Sequence, residues 1–477
     1  MASMRKTKIV ATLGPATDDE AILRQLIEAG ADVLRLNFSY GDHATHAKRI
    51  ALVWRLGEEA RCVVAVLQDL QGPRIRVGRL ATGPVELREG AAFAITTRDV
   101  AGTAERVSTT YQDLPRDVQP GDAILLDDGL LELRVTGVSR SEVKCTVVRG
   151  GTLRPHKGMN LPGVSIRAPA LTDKDRDDLR FGLAEGVDMV ALSFVRHPDD
   201  AEAARTVMRG VGRRVPLLAK IETPQALDRL EDVVRAFDGV MIARGDLGVE
   251  LSAEKVPGAQ KRIIERANLD GKPVITATEM LESMTHNLRP TRAEASDVAN
   301  AVLDGTDAVM LSGETAIGEY PVEAVRAMDR IVREAETLTA PAAGKLEGRQ
   351  TQAHAVCHAA VTLAAETKAE ALAAFTRSGR TAQLLSKLRP DVAVYALCEE
   401  GTMARQLTLW RGVIPLVVET KGRVGDVAER IGDELQARGL LRGNGDVVIV
   451  GAAPGTPAGR TNFIRVLQLA AHRRGRG

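Results

Sequence analysis

The chain has 477 residues, enough for two to four domains, and its 44% hydrophobic and 27% charged content is that of an ordinary globular protein. A net charge of +1 and only 3% aromatics argue against nucleic acid as a partner, which needs a basic field and stacking surfaces. No apolar run approaches a membrane span and the amino terminus lacks an apolar signal region, so a cytoplasmic protein without membrane contact is expected.

Apolar runs of strand length recur at Ile9–Leu13, Val33–Phe38, Val63–Leu67, Val187–Phe194, Val215–Ile221, Gly239–Ala243, Pro273–Thr278 and Ala308–Leu311. Most are continuous rather than alternating, as strands buried on both faces are. Each but the third leads into a helical pattern. Ala21–Ala29 is one, with Asp18 as cap and Gly30 as stop; Thr172–Glu185 is another, with Thr172 as cap and Gly186 as stop. This alternation predicts a parallel eight-fold β/α barrel. After Asp69-Leu70-Gln71-Gly72-Pro73 the pattern changes to short strands broken by Gly and Pro: Val85–Leu87, Phe93–Thr97, Ala123–Leu126, Leu130–Val135 and Glu142–Val148. Such a run reads as a small β-barrel domain inserted in a βα loop, where it can act as a lid. Ala340-Pro341-Ala342-Ala343-Gly344 reads as a linker. Beyond it, helical Thr351–Thr367 and strands at Ala371–Phe375, Val392–Leu397, Val413–Val418 and Val447–Val450 predict an open α/β domain, closed by Phe463–Leu467. The boundaries drawn are 1–72 and 168–340 for the two parts of the barrel, 73–167 for the lid and 341–477 for the last domain.

Barrel chemistry sits at the carboxyl ends of the strands. The unusual polar residues fall there: Arg35, Asn37 and Ser39 after strand two, Asp69 after strand three, Ser193 and Phe194 after strand four. Strand five gives Lys220 and Glu222, strand six Arg244, Gly245 and Asp246, strand seven Thr278, and strand eight Ser312, Gly313 and Glu314. Lys220 and Glu222, one residue apart on a strand, point the same way. Together they suit phosphate and a divalent metal, or else form a structural ion pair at the rim. Glu222 and Asp246 lie on adjacent strands and could share one Mg²⁺ or Mn²⁺; the alternative is two carboxylates neutralised by Lys220 and Arg244. Arg244-Gly245-Asp246-Leu247-Gly248 reads as a single helical turn with N–H groups free for an anion, or as a plain tight turn. Cys62, Cys145, Cys357 and Cys398 have no C-x-x-C spacing, so zinc and disulfides are not expected, and buried free thiols are.

Seven motifs, in order along the whole chain, resemble the pyruvate kinase family: Thr7-Lys8-Ile9-Val10-Ala11-Thr12-Leu13-Gly14-Pro15, Arg35-Leu36-Asn37-Phe38-Ser39, Lys157-Gly158-Met159-Asn160-Leu161-Pro162-Gly163, Ala219-Lys220-Ile221-Glu222, Ala243-Arg244-Gly245-Asp246-Leu247-Gly248, Pro290-Thr291-Arg292-Ala293-Glu294 and Met310-Leu311-Ser312-Gly313-Glu314-Thr315. The resemblance implies phosphoryl transfer from phosphoenolpyruvate to ADP, giving pyruvate and ATP. It implies Lys220 beside the transferring phosphoryl group, a metal on Glu222 and Asp246, and a second metal with the nucleotide. Arg35 would contact phosphate and, with Arg76, the nucleotide. Substrate would meet Arg35, Ser193, Lys220, Gly245, Asp246 and Thr278, with Thr278 helping to protonate the enolate. A homotetramer and a regulatory last domain are also implied, with a phosphorylated effector bound at Thr376, Ser378, Arg380 and Thr381. That loop opens the helical run Thr381–Leu388 and suits phosphate; an ordinary capped strand-to-helix connection is the alternative.

The chain departs from the family at Tyr40, where His is usual, and at Glu279, where Gln follows the threonine. It also reads Asp69-Leu70-Gln71-Gly72-Pro73-Arg74 where K⁺-dependent members carry Glu after the proline. The residues matching a monovalent-cation site are Asn37, Ser39, Asp69, Leu70 and Arg74. A guanidinium at Arg74 can supply the positive charge itself, so the chain resembles a bacterial branch in which K⁺ is not required; a head paired with Asp69 or turned to solvent is the competing expectation. Two other functions stand against the kinase. A metal-dependent pyruvate aldolase or lyase leaves the lid and Lys220 unexplained, and a silent sugar-phosphate sensor would keep costly buried charges without use.

Overall fold

The computed structural model describes residues 4–338, 351–418, 432–441, 445–452 and 461–468. Eight parallel strands close a barrel: Lys8–Leu13, Val33–Asn37, Ala65–Asp69, Met189–Leu192, Leu217–Ile221, Gly239–Ala243, Val274–Ala277 and Ala308–Leu311, with the first paired to both second and eighth. The strands are buried on both faces. Val10, Leu67, Met189, Leu218, Met241 and Ile275 fill the interior, while Ile9, Leu34, Val66, Val190 and Leu217 face the helices. This double burial is why the strands read as continuous apolar runs. The strand after Arg61 starts at Ala65, and Cys62 lies exposed ahead of it rather than buried, while Cys145, Cys357 and Cys398 are buried.

The helix flanking strand one runs Glu20–Glu28, and its cap is Asp19 rather than Asp18. Asp19 accepts from the backbone of Ala21 and Ile22, while Asp18 is drawn into an ion pair with Arg49 at 2.7 Å. The helix Asp173–Glu185 has its cap at Thr172 and a left-handed Gly186, φ +96°, as its stop.

Between strand three and that helix the chain builds a six-stranded sheet in the order Met159–Asn160, Ala123–Leu126, Leu131–Val138, Glu142–Arg149, Ala92–Thr96, Arg106–Ser108. A two-stranded ladder joins Val85–Leu87 to Gly151–Leu153. Its separate core includes Phe93, Ile95, Leu126, Leu133 and Val147. The last region is a five-stranded sheet in the order Val413–Val417, Ala393–Cys398, Ala371–Phe375, Asp446–Gly451, Phe463–Gln468, with only the final strand antiparallel. The expected linker at 340–344 lies outside the described residues.

Buried charge on the helices of this last domain ties it to the amino-terminal end of the barrel, opposite the rim. Lys387 Nζ lies 2.6 Å from Asp307, with Arg389 3.2 Å from the same carboxylate. Arg405 meets Asp188 at 2.8 Å and lies over the Trp54 ring, 4.5 Å from its centroid. Burial pushes Asp188 up to about 6 against the pull of Arg405.

Candidate active site

Strand alternation decides the centre of the site. Lys220 and Glu222 do share a face, with Lys220 Nζ 2.9 Å from Glu222 Oε1. The same ammonium donates to Ser193 Oγ at 2.7 Å and lies 3.3 Å from Asp69 Oδ1. Asp69 is held on its other oxygen by Arg35, whose Nε and Nη2 both lie at 2.7 Å, while Arg35 Nη1 donates to Thr12 Oγ1 at 3.0 Å. Burial works against these charges. Even so, Lys220 and Arg35 hold Asp69 below the usual carboxylate range, and Asp69 and Glu222 hold Lys220 above its ordinary value.

Glu222 is the under-compensated member. It is fully buried, its Oε2 accepts from the Phe194 N–H at 2.6 Å, and its Oε1 has Lys220 nearby without the alignment of a hydrogen bond. Burial pushes its carboxyl up; Lys220 opposes this and Asp246 adds to it. The Asp246 carboxylate makes no hydrogen bond or ion pair among the described residues. Two converging carboxylates with spare lone pairs fit a hard divalent cation. Among the described residues no three His, Cys, Asp or Glu side chains gather to hold a metal, so a cation here would draw its remaining oxygens from substrate or water.

Asp246 sits in the first turn of a helix, Arg244–Leu251, that is longer than the single turn expected. Fully buried Leu247 anchors it despite its two glycines. Gly245 is required by space: a Cβ there would lie 2.9 Å from Thr278 Cγ2. Arg244 does not neutralise the carboxylates. It turns the other way, onto Asp297 at 2.7 Å and the Thr278 carbonyl at 2.7 Å. Glu314 is likewise structural, accepting from the backbone of Leu281 at 3.0 Å and Ser312 at 2.6 Å.

The monovalent-cation candidates lie together. Asn37 pairs in register with Asp69, the Ser39 N–H donates to Asn37 Oδ1 at 3.1 Å, and the Leu70 carbonyl accepts from Ser193 Oγ at 2.7 Å. Arg74 does not pair with Asp69. It lines the cleft between lid and barrel with Asp128, Asn160, Asp246 and Glu250, and makes no side-chain hydrogen bond or ion pair among the described residues. Arg76 is in a bridge to Gly158 on the lid and does not line that cleft. Tyr40 is 62% exposed; its carbonyl accepts from His46 Nε2 at 2.9 Å. Glu279 is also exposed; burial pushes the Glu282 carboxyl up and Glu279 adds to it.

The candidate effector loop divides. Ser378 and Arg380 line a cavity of about 360 Å³ against the barrel floor, with Arg214, Lys272, Gln406 and Trp410. Thr376 and Thr381 are buried, and Thr381 Oγ1 is 2.8 Å from Thr461 Oγ1. The helix begins at Arg380, one residue earlier than expected.

Family models described as pyruvate kinase, barrel domain, and pyruvate kinase, alpha/beta domain, match residues 4–325 and 354–467. The chain belongs to the pyruvate kinase family. It is 47% identical over 469 residues to a pyruvate kinase of Mycobacterium intracellulare, covering 98% of each chain. It is 45% identical over 471 residues to one of Corynebacterium glutamicum, covering 97% of each. A crystal structure of a pyruvate kinase from Cryptosporidium parvum superposes with a TM-score of 0.92 at 35% identity, over 98% of this chain and 96% of that one. As a pyruvate kinase the chain is a phosphotransferase that uses phosphoenolpyruvate and ADP and gives pyruvate and ATP. The aldolase and sensor readings are set aside on that ground.

Sequence reasoning missed two features of the rim. One is the Arg244–Asp297 pair, 53 residues apart along the chain and so invisible to local spacing. The other is Asn160 of the lid donating to Glu250 Oε1 at 3.1 Å. Glu250, four residues after Asp246, would lie on the same helical face, a signal that the single-turn reading discarded.

Proposed function

We propose that the rim performs the transfer through Lys220, Arg35, Asp246, Glu222 and Thr278. The observation that carries this is Glu222, buried, short of counter-charge and bridged through Lys220 to Asp69. Glu222 and Asp246 would hold Mg²⁺ or Mn²⁺, which when bound would neutralise phosphoryl and enolate oxygens. Lys220 and Arg35 place fixed positive charge beside the phosphoryl group as its bond to the enol oxygen breaks and its bond to the ADP oxygen forms. Backbone N–H groups at Gly245 and Asp246, at a helix start, suit the substrate carboxylate. Ser193 holds the Lys220 ammonium in place. Thr278 helps deliver a proton to C3 of the enolate, which becomes the pyruvate methyl group.

The remaining assignments belong to the same reading. The lid spans 73–167, the barrel 1–72 and 168–340, and the regulatory domain 341–477. The nucleotide is met by Arg35 of the barrel and by Arg76, which bridges Gly158 at the edge of the cleft that Arg74 lines. Arg74 stands free in that cleft while Asp69 is already met by Arg35 and Lys220, so K⁺ is not required and the chain falls in the K⁺-independent bacterial branch. Ser378 and Arg380 receive a phosphorylated effector, with Thr376 and Thr381 as the buried frame of the loop. The protein works in the cytoplasm as a homotetramer. No helix among the described residues is long and apolar enough to cross a membrane.

The test is Lys220→Met, assayed for pyruvate formed from phosphoenolpyruvate with and without ADP. Losing one preorganised charge contact costs on the order of 10²–10³ in rate, with the fold retained by circular dichroism. Near-normal turnover would overturn the assignment of the rim.

A further inference from the structure

The backbone beside the site is left-handed at two residues running, with φ +75° at Thr278 and +54° at Glu279. A β-branched residue is strained there and persists only where its surroundings impose it. Arg244 imposes it. Its Nε lies 3.2 Å from the carbonyl oxygens of both Ala277 and Thr278. Its Nη2 donates to the Thr278 oxygen at 2.7 Å and reaches that of Glu279 at 3.3 Å. Three consecutive carbonyls therefore turn toward one guanidinium, an arrangement whose dipoles would otherwise repel. The guanidinium is itself fixed: Nη1 meets Asp297 Oδ1 at 2.8 Å, Nη2 meets Oδ2 at 2.7 Å, and Nη1 lies 3.3 Å from Gln260 Oε1. A lysine at this position has a point charge and no fork, so it could not serve the carboxylate and the carbonyls together. On the other side the Thr278 methyl rests on Gly245, leaving no room for a side chain.

We propose that Arg244, oriented by Asp297, is a positioning residue for the proton-transfer step, acting through the backbone of Thr278. The inference rests on the reading of Thr278 given above. In that step the C3–H bond of pyruvate forms as an O–H bond of the Thr278 hydroxyl or its bound water breaks, and solvent restores the lost proton. Run in reverse, the same step removes a methyl proton, so exchange of pyruvate C3 hydrogens with D₂O reports on it without phosphoryl transfer.

The experiment makes Arg244→Lys and Asp297→Asn, each alone and each with Thr278→Ala. Methyl exchange is followed by proton NMR beside steady-state kinetics and thermal unfolding. A misplacement of about 1 Å at a reacting group costs on the order of 10²-fold, so Arg244→Lys should slow exchange by about that factor and Asp297→Asn by less. KM for phosphoenolpyruvate should stay within a few-fold. With Thr278 already Ala, neither substitution should slow exchange much further, because coupled residues are not additive. Full additivity, or wild-type exchange in Arg244→Lys with exchange lost in Thr278→Ala, overturns the positioning role alone. Wild-type exchange in Thr278→Ala overturns the underlying reading of Thr278 as well. If Arg244→Lys does not fold, Asp297→Asn decides by the same criteria.

Discussion

Replacing Gly245 with alanine should separate activity from stability. A Cβ at this position would lie 2.9 Å from Thr278 Cγ2, while unstrained carbons sit at about 3.5–4.0 Å, an overlap of about 0.6–1 Å. Overpacking of this kind costs about 1–3 kcal/mol, but alanine in place of glycine within a helix returns about 1 kcal/mol. The net loss of stability is then about 0–2 kcal/mol, too small to unfold the chain. The displacement has few places to go. Thr278 is stiff at χ1 and its carbonyl is held by Arg244. The start of the Arg244–Leu251 helix must give instead, carrying Asp246 with it. A shift of that size at a binding carboxylate predicts a fall in kcat/KM on the order of 10²-fold. A coupled assay for pyruvate run beside thermal unfolding measures both quantities. Wild-type kcat/KM in Gly245→Ala would show that the clash is relieved without moving the site, and the reasoning would fail.

Asp246→Asn should raise the Mg²⁺ concentration needed for half-maximal activity and lower turnover, since Glu222 alone would supply anionic oxygen; an unchanged Mg²⁺ titration would count against the pair. Initial rates in K⁺-free and NH₄⁺-free buffer should match those with KCl at equal ionic strength, and Arg74→Glu should create a K⁺ dependence. A many-fold activation of the native enzyme by K⁺ would refute this. Ser378→Asp combined with Arg380→Glu should abolish activation by sugar monophosphates, nucleotide monophosphates and bisphosphates alike. If the response to each persists, the effector binds elsewhere.

The barrel was legible because its strands are buried on both faces, and that leaves continuous apolar runs no exposed strand would show. Lys220 and Glu222 were legible for the opposite reason: charge at the end of such a run has to be accounted for. Cap placement was harder, since Asp18 and Asp19 are equivalent by type and only Arg49, from the next helix, chooses between them. The alternative in which Arg244 neutralises the carboxylates fails because sequence gives a charge its position but not its direction. Arg244 lies one residue past strand six, yet its partner Asp297 comes from the helix Arg292–Asp304 and pulls it away from Asp246. The candidate effector loop read as one unit, while burial splits it into a frame of threonines and an outward pair, Ser378 and Arg380.

The fourth barrel strand, Met189–Leu192, has Asp188 before it and Ser193 after it. At one end Arg405, on the helix Gly401–Gln406 of the last domain, grips Asp188; at the other, Ser193 accepts from the Lys220 ammonium. About 3.3 Å per residue puts these ends roughly 16 Å apart, with nothing but buried, hydrogen-bonded backbone between them. So short a rod between two ladders has no hinge. A displacement of Asp188 would reach the lysine's anchor nearly undiminished, giving the floor of the barrel mechanical access to its rim through a single strand.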